Sequence, residues 1–302
     1  MPKPIKTMAR ERKNQPKLVV ILGPTACGKT KLAVNLAKAF NGEIVSADSR
    51  QVYKKLDIGT GKDLQDYGSV PYHLIDIASP KTQFTLAKYQ KLAYQAIDKI
   101  IGRGKMPFLV GGSGLYLQAV IDGYNLTEAQ PDQKLRKRLN KKNLDQLQKL
   151  VKKERIELNQ SDFNNKRRLI RALEIKSQNK QPLKSKPRYD CLILGLKYPR
   201  EIINQRIDKR MNSWLKEGLI EEVKNLREKE GLSWNRLDEF GLEYRYTAKY
   251  LKDEIDYTAM IEEMKNKLHQ FAKRQLTWFN RDRRIIWLKS LSQAKKLITN
   301  FL

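Results

Sequence analysis

Leu18-Val19-Val20-Ile21-Leu22-Gly23-Pro24-Thr25-Ala26-Cys27-Gly28-Lys29-Thr30 is the stretch that decides the fold. Its apolar opening, Leu18 to Leu22, has no polar break, as expected of a strand covered on both faces in a parallel sheet. Leu32, Ala33, Leu36 and Ala37 then share one face of a helix expected over Lys29 to Phe40. Between strand and helix, Gly23 to Thr30 matches G-x-x-x-x-G-K-[ST] in full. The glycines let backbone N–H groups curl around phosphate oxygens, and the helix N-terminus adds the positive end of its dipole. Lys29 supplies a point charge and the Thr30 hydroxyl can reach Mg²⁺. Gly23, Pro24, Thr25, Ala26, Cys27, Gly28, Lys29 and Thr30 are therefore the expected diphosphate- or nucleotide-binding loop. By itself the loop reads as a site for ATP or another diphosphate. There is no N-K-x-D motif of a GTPase, and no Walker-B strand with a water-activating partner.

Working outward, Glu43 to Ala47 reads as a second strand and Leu86 to Gly102 as a helix, with a further strand over Met106 to Val110. Strands alternating with helices predict an α/β fold, a P-loop parallel sheet with helices on both faces. In such sheets the ligand crevice lies at the carboxyl ends of the strands. Asp48, after the second strand, then stands beside the phosphate loop. A carboxylate there can hold Mg²⁺, accept a proton from a nucleophile, or merely cap the next helix. Gly111-Gly112-Ser113-Gly114 ends the next strand and brings a hydroxyl, Ser113, to the same edge.

The pattern changes after Asp122. Residues 125–188 show no clear strand and carry 19 Lys/Arg against 7 Asp/Glu. Leu139, Leu144, Leu147, Leu150 and Val151 keep helical spacing, so this stretch is expected to be a basic helical insertion. A strand returns over Asp190 to Leu196. Long charged helices are expected near Pro199 to Glu230 and Tyr257 to Asn280, and a last strand over Arg284 to Leu288. The expected domains are a core of residues 17–123 and 188–302, an insertion of residues 124–187, and a basic tail of residues 1–16. Over the whole chain 61 Lys/Arg oppose 33 Asp/Glu, a net charge of +28. Such a clustered excess calls for a polyanion, and nucleic acid is the natural partner. Cys27 and Cys191 form no metal pattern, and a reducing cytosol suits both; Cys191, in an apolar run, is expected to be buried. No apolar stretch is long enough to span a membrane and the N-terminus lacks the apolar region of a signal peptide, so a cytoplasmic protein is expected.

These pieces together resemble one family, the tRNA dimethylallyltransferases or isopentenyl-tRNA transferases. The matching blocks are Gly23 to Ala33, Glu43 to Lys62, Pro71 to Ile77, Leu109 to Gly123, Arg167 to Ile175, Arg206 to Leu226 and Ala272 to Phe279, covering nearly the whole chain from Lys17. The resemblance implies transfer of a dimethylallyl group from dimethylallyl diphosphate, with Mg²⁺, to N6 of the adenine 3′ to the anticodon. It implies that the P-loop holds the diphosphate, with Arg206 and Arg210 as further contacts. Asp48 matches the catalytic aspartate, and Ser113 stands where the family usually has Thr. Asp48, Ser49, Arg50, Gln51 and Ser113 would meet the acceptor. Arg136 and the run Arg167, Arg168, Leu169, Ile170 and Arg171 match tRNA-contacting positions. Gln275 and Trp278 are expected to be structural, with Trp278 in the core.

The sequence departs from the family pattern at several places. Cys27 replaces a common Ser and Tyr72 a common His. Residues 165–168 read Asn-Lys-Arg-Arg rather than Asp-Pro-Gln-Arg, and Gly241-Leu242-Glu243-Tyr244-Arg245-Tyr246 stands in place of G-Y-[KR]-[EQ]. The zinc finger of eukaryotic members is absent, which reads as the bacterial type. A monomer is expected, its basic face covered by RNA. Two competing readings share the same loop: an enzyme that prenylates free AMP, ADP or ATP, and a P-loop kinase or RNA-binding ATPase.

Overall fold

The computed structural model describes residues 15–124, 126, 131–158, 160–178 and 186–302. The first fourteen residues of the expected basic tail lie outside the described part. The described end of the tail is tied to the sheet: the Asp190 N–H donates to the Pro16 carbonyl at 2.9 Å.

Six strands form one sheet, β1 (Lys17–Leu22), β2 (Gly42–Ser46), β3 (Tyr72–His73), β4 (Met106–Gly111), β5 (Asp190–Gly195) and β6 (Ile286–Trp287), in the order β3-β2-β4-β1-β5-β6. Every pairing is parallel. The unbroken apolar reading of β1 has its reason here. Leu18, Val20 and Leu22 enter a core on one face, while Val19 and Ile21 enter a second core on the other. A strand alternates its side chains, so burial on both faces requires apolar residues at every position. The first core is closed by helices including Leu86–Gly102 and Tyr257–Phe279; the second by Lys29–Ala39 and Leu291–Phe301.

Several expectations are corrected. The stretch expected as helix near Pro199 to Glu230 is two helices, Arg200–Glu217 and Leu219–Glu228, separated at Gly218 with φ 102°. The last strand shrinks to Ile286–Trp287, and β3 was not foreseen because two residues carry no periodicity. Cys191 is half-buried rather than buried, its thiol donating to the Tyr189 carbonyl at 3.6 Å. Among the described residues no helix is long and apolar enough to cross a membrane.

The chain divides into two compact units, Met1–Gly123 with Pro187–Leu302, and Tyr124–Lys186. Within the smaller unit, helices Gln133–Asn140, Leu144–Lys153, Gln160–Phe163 and Lys166–Ser177 close over Leu139, Leu147, Val151, Leu169, Ile170 and Leu173. Leu169 and Ile170, expected among the tRNA-contacting positions, have their side chains packed in this core. At the heart of the unit lies Glu174, its side chain fully buried. Arg136 donates to it through Nε at 2.8 Å and Nη2 at 2.9 Å, the Asp132 N–H donates at 2.7 Å, and Arg171 completes the ring. Burial alone would raise this carboxyl, but the bonds from Arg136, Arg171 and Asp132 outweigh it and hold the group below its ordinary range.

Glu174→Ala leaves two guanidinium groups facing a buried gap and is expected to destabilise this unit by about 3 kcal/mol. Hydrogen exchange resolved by segment checks it: faster exchange should appear in residues 133–177 and not in the sheet. Because the folded carboxyl is depressed, its contribution is present above the unfolded pKa and lost as pH falls through the folded value. Acid should therefore loosen the wild-type unit and have little further effect on the variant.

Candidate active site

The carboxyl ends of β1, β4 and β2 lie side by side, and the loops that leave them form one cavity of about 580 Å³. After β1, Ala26 and Gly28 take left-handed conformations, φ 60° and 80°, around Cys27. Alternation of this kind turns successive N–H groups toward one concavity, which is an anion nest. Cys27 is buried, its side chain packed inward, so the change from Ser leaves the main-chain donors in place. Thr25, Lys29 and Thr30 line the cavity. Lys29 Nζ donates to the Pro24 carbonyl at 3.3 Å.

After β2 the chain turns sharply. Asp48 Oδ1 accepts from the N–H groups of Arg50 at 2.8 Å and Gln51 at 3.4 Å. Asp48 therefore closes a turn and does not cap a helix. One carboxylate oxygen is committed to the backbone, which fixes the plane of the group at the cavity wall. The loop after β4 is bound to this turn: Ser113 Oγ accepts from the Ser49 N–H at 3.0 Å and donates to Ser49 Oγ at 3.3 Å. A Cβ on Gly111 would stand 2.1 Å from the Ala47 carbonyl oxygen, so only glycine lets the two strand ends approach this closely.

Gln275, from helix Tyr257–Phe279, joins the remaining pair of loops. Its Oε1 accepts from the Thr25 N–H at 2.9 Å and its Nε2 donates to the Gly112 carbonyl at 2.9 Å. The expectation of a structural Gln275 thus acquires a specific content. Gln51 reaches the other way, Nε2 donating to the Gly61 carbonyl at 3.1 Å. The segment it meets is held from outside by Glu222, whose carboxylate accepts from the N–H groups of Asp57, Ile58 and Gly59 at 2.8, 2.7 and 3.2 Å, and from Tyr244 Oη at 2.7 Å. Nothing in the sequence separates Glu222 from the solvent-facing acids of its helix.

Tyr67, Tyr116, Phe271 and Trp278 supply apolar wall. Burial lifts the Tyr67 and Tyr116 phenols well above their ordinary range, so both are neutral hydrogen-bond donors. Trp278 is partly buried and lines the cavity rather than sitting wholly in the core; its Nε1 has no hydrogen-bond partner among the described residues. Arg50 and Arg210 line the cavity, and Arg210 donates to the Gly61 carbonyl at 3.1 Å and to Asp63 at 2.5 Å. Arg206 does not line it: its guanidinium lies over the Tyr198 ring, 4.3 Å from the centroid, on the exposed side of the helix. Arg274 stands in the cavity wall without having been expected there. So does the divergent block, which contributes Gly241, Leu242, Glu243, Tyr244 and Arg245. Burial raises the Glu243 carboxyl to about 7, with Arg50 lowering and Asp48 raising it further.

Of the arginines expected to meet RNA in the small unit, Arg136 and Arg171 share the carboxylate of Glu174, and Arg168 pairs with Asp162. Arg167 is exposed, with no carboxylate partner among the described residues.

A six-stranded parallel sheet with an anion nest after its first strand and a carboxylate fixed beside it defines a P-loop enzyme that works on a phosphorylated substrate. The IPP transferase family matches residues 51–282, and isopentenyl transferase matches residues 16–68. The chain is 46% identical over 278 residues to tRNA dimethylallyltransferase 1 of Hahella chejuensis, covering 90% of this chain and 91% of that one. It is 46% identical over 272 residues to tRNA dimethylallyltransferase 2 of Treponema denticola, covering 87% and 91%. The crystal structure of the tRNA isopentenylpyrophosphate transferase of Bacillus halodurans superposes with a TM-score of 0.72 at 37% identity, covering 95% of both chains. A eukaryotic dimethylallyltransferase captured acting on tRNA superposes with a TM-score of 0.72 at 27% identity, covering 92% of this chain and 75% of that one. The chain belongs to the IPP transferase family, the tRNA dimethylallyltransferases.

Gln275→Leu removes both latching bonds and strands the Thr25 N–H and the Gly112 carbonyl. Affinity for inorganic pyrophosphate, measured by calorimetry, should fall roughly tenfold, the equivalent of about 1.4 kcal/mol for an unpaired polar group. Unchanged affinity would mean that the nest holds its shape without the latch.

Proposed function

We propose that the protein transfers the dimethylallyl group of dimethylallyl diphosphate to N6 of the adenine 3′ to the anticodon of tRNA. The observation that carries this reading is the single cavity in which the phosphate loop and the fixed carboxylate of Asp48 meet. The N6 lone pair forms a bond to C1 of the dimethylallyl group as the C1–O bond breaks. The diphosphate leaves with the electron pair, and the N6 proton passes to the free oxygen of Asp48. The loop N–H groups and Lys29 hold the diphosphate where its charge grows. Ser113 and the Asp48 turn, bound to each other, position the acceptor against the donor, which matters because an exocyclic amine is a poor nucleophile. The adenine enters flipped out of its loop.

Mg²⁺ is the proposed metal, and the donor set suits it. Among the described residues no three His, Cys, Asp or Glu side chains cluster. The Thr30 hydroxyl, which lines the cavity beside the phosphate loop, would hold the ion together with oxygens of the diphosphate and water. Bound there, it would neutralise charge on the leaving diphosphate. The small unit supplies cations to the anticodon arm, Arg167 with the exposed Lys137 and Arg138 among them. The protein is proposed to work as a cytoplasmic monomer, with both cysteines unpaired.

The test is mass-spectrometric transfer from dimethylallyl diphosphate, with Mg²⁺, to an adenine-containing anticodon stem-loop or to free AMP. An adduct on the stem-loop alone supports the reading; an adduct on AMP moves it to nucleotide prenylation. Asp48→Asn should lower kcat about a thousandfold while stem-loop affinity holds, since loss of a positioned base costs that order. Full activity in the variant removes Asp48 as the base. Arg167→Glu combined with Lys137→Glu should weaken stem-loop binding and lower its salt slope by about one for each phosphate that is no longer neutralised.

A further inference from the structure

Most of the buried or half-buried acids that brace this fold are tied down. Glu43 is bonded by His73 and Arg103, Glu174 by two arginines, and Glu222 by three backbone donors and a tyrosine. Glu243 is not. It is the second residue of helix Leu242–Leu251, it lines the cavity, and it accepts from its own backbone N–H. Among the described residues no other side chain bonds its carboxyl. Its place is marked by Gly241: a Cβ there would stand 3.3 Å from Glu243 Oε2 and 3.7 Å from Arg50 Nε, so carboxyl and guanidinium flank one spot in the wall. The groups that bear on it are Asp48 and Arg50 from the turn after β2 and Arg210 from helix Arg200–Glu217. Tyr244 and Arg245 neighbour it on its own helix, and Arg274 of helix Tyr257–Phe279 lines the same cavity.

A carboxyl inside a cavity with no protein partner is suited to a ligand's hydrogen bonds. The donor's diphosphate is already served by the phosphate loop and Lys29, and it repels the ionised form of Glu243. We propose that Glu243 is a specificity-determining residue of the acceptor half of this cavity, its carboxyl hydrogen-bonding the edge of the RNA base rather than meeting the donor. The proposal deepens the transferase reading and rests on it. A carboxylic acid sets an O–H donor beside a C=O acceptor, the complement of an adenine edge with its N6–H donor beside a ring-nitrogen acceptor. Only one N6 hydrogen leaves to Asp48; the other remains for Glu243. The burial-raised carboxyl, at about 7, is largely in the acid form at pH 6 and largely ionised at pH 8. Ionised, it loses the donor and sets a second negative charge beside Asp48 against a polyanion.

Steady-state transfer to the stem-loop between pH 6 and pH 8 tests this, with KM and kcat read separately. In the wild type, KM for the stem-loop should rise roughly tenfold across this range, following the protonated fraction of Glu243. KM for dimethylallyl diphosphate should not follow it. Glu243→Gln keeps a donor and an acceptor at every pH, so its stem-loop KM should stay flat and fall below that of the wild type at pH 8. Glu243→Ala should be flat and high throughout. A Gln variant that reproduces the wild-type rise overturns the proposal, as does a wild type whose stem-loop KM does not change. Should the Gln variant fail to fold, a wild-type rise shared by both substrates would still overturn it, and one confined to the stem-loop would support it. A wild type that forms no adduct at any pH instead removes the transferase reading itself.

Discussion

The cavity depends on one side-chain amide. Gln275 stands between the phosphate loop and the loop after β4, accepting from one backbone and donating to the other. A parallel sheet satisfies its backbone along the strands but leaves each departing loop to find its own partners. The loops here find them through side chains from distant parts of the chain. Gln275 joins Thr25 to Gly112, Ser113 joins the β4 loop to Ser49, and Glu222 holds residues 57–59. A site made of three loops would be soft without such ties; with them its donors are aimed before any ligand arrives.

The cavity is electrically divided as a result. The nest, Lys29 and the helix N-terminus make one part attractive to phosphate, while Asp48 and Glu243 make another part unattractive to it. Two anionic groups set toward an incoming polyanion would weaken binding, were they alone. Arg50 and Arg210 stand among them, and desolvation raises the Glu243 carboxyl to about 7, which lessens its charge. The Tyr67 and Tyr116 phenols, kept protonated by burial, add donors without adding charge. Opposed local fields of this sort orient a donor and an acceptor relative to one another more strictly than shape alone.

The parallel core was legible because its signals are local and periodic. An apolar run buried on both faces, followed by a glycine loop and an amphipathic helix, admits few other structures. Asp48 was legible for the same reason, since a carboxylate just after a parallel strand must lie at the ligand edge. What escaped was decided by tertiary partners. Arg206 lies four residues before Arg210 on one helix, yet Arg206 covers Tyr198 and Arg210 enters the cavity. Glu222 resembles any acid on a charged helix until the loop folds over it. The block Gly241 to Tyr246 stood out as a departure, but a departure does not say which way its new carboxyl faces.

The small unit shows how far total charge can mislead. Its excess of lysine and arginine suggested a basic face, and several of its arginines stood at matched positions. The unit is too small to close a core from leucines alone, and Glu174 at its centre recruits Arg136 and Arg171 as structure. Arg136 and Arg171 share the one carboxylate of Glu174, so the cluster keeps a net positive charge but its guanidiniums are held in place by the fold. Among the described residues, the exposed cations without carboxylate partners remain free, Arg167 foremost. In this unit, then, some arginines are fixed in position by the fold while others are left to find their own geometry against a phosphate, and the two kinds stand on the same scaffold.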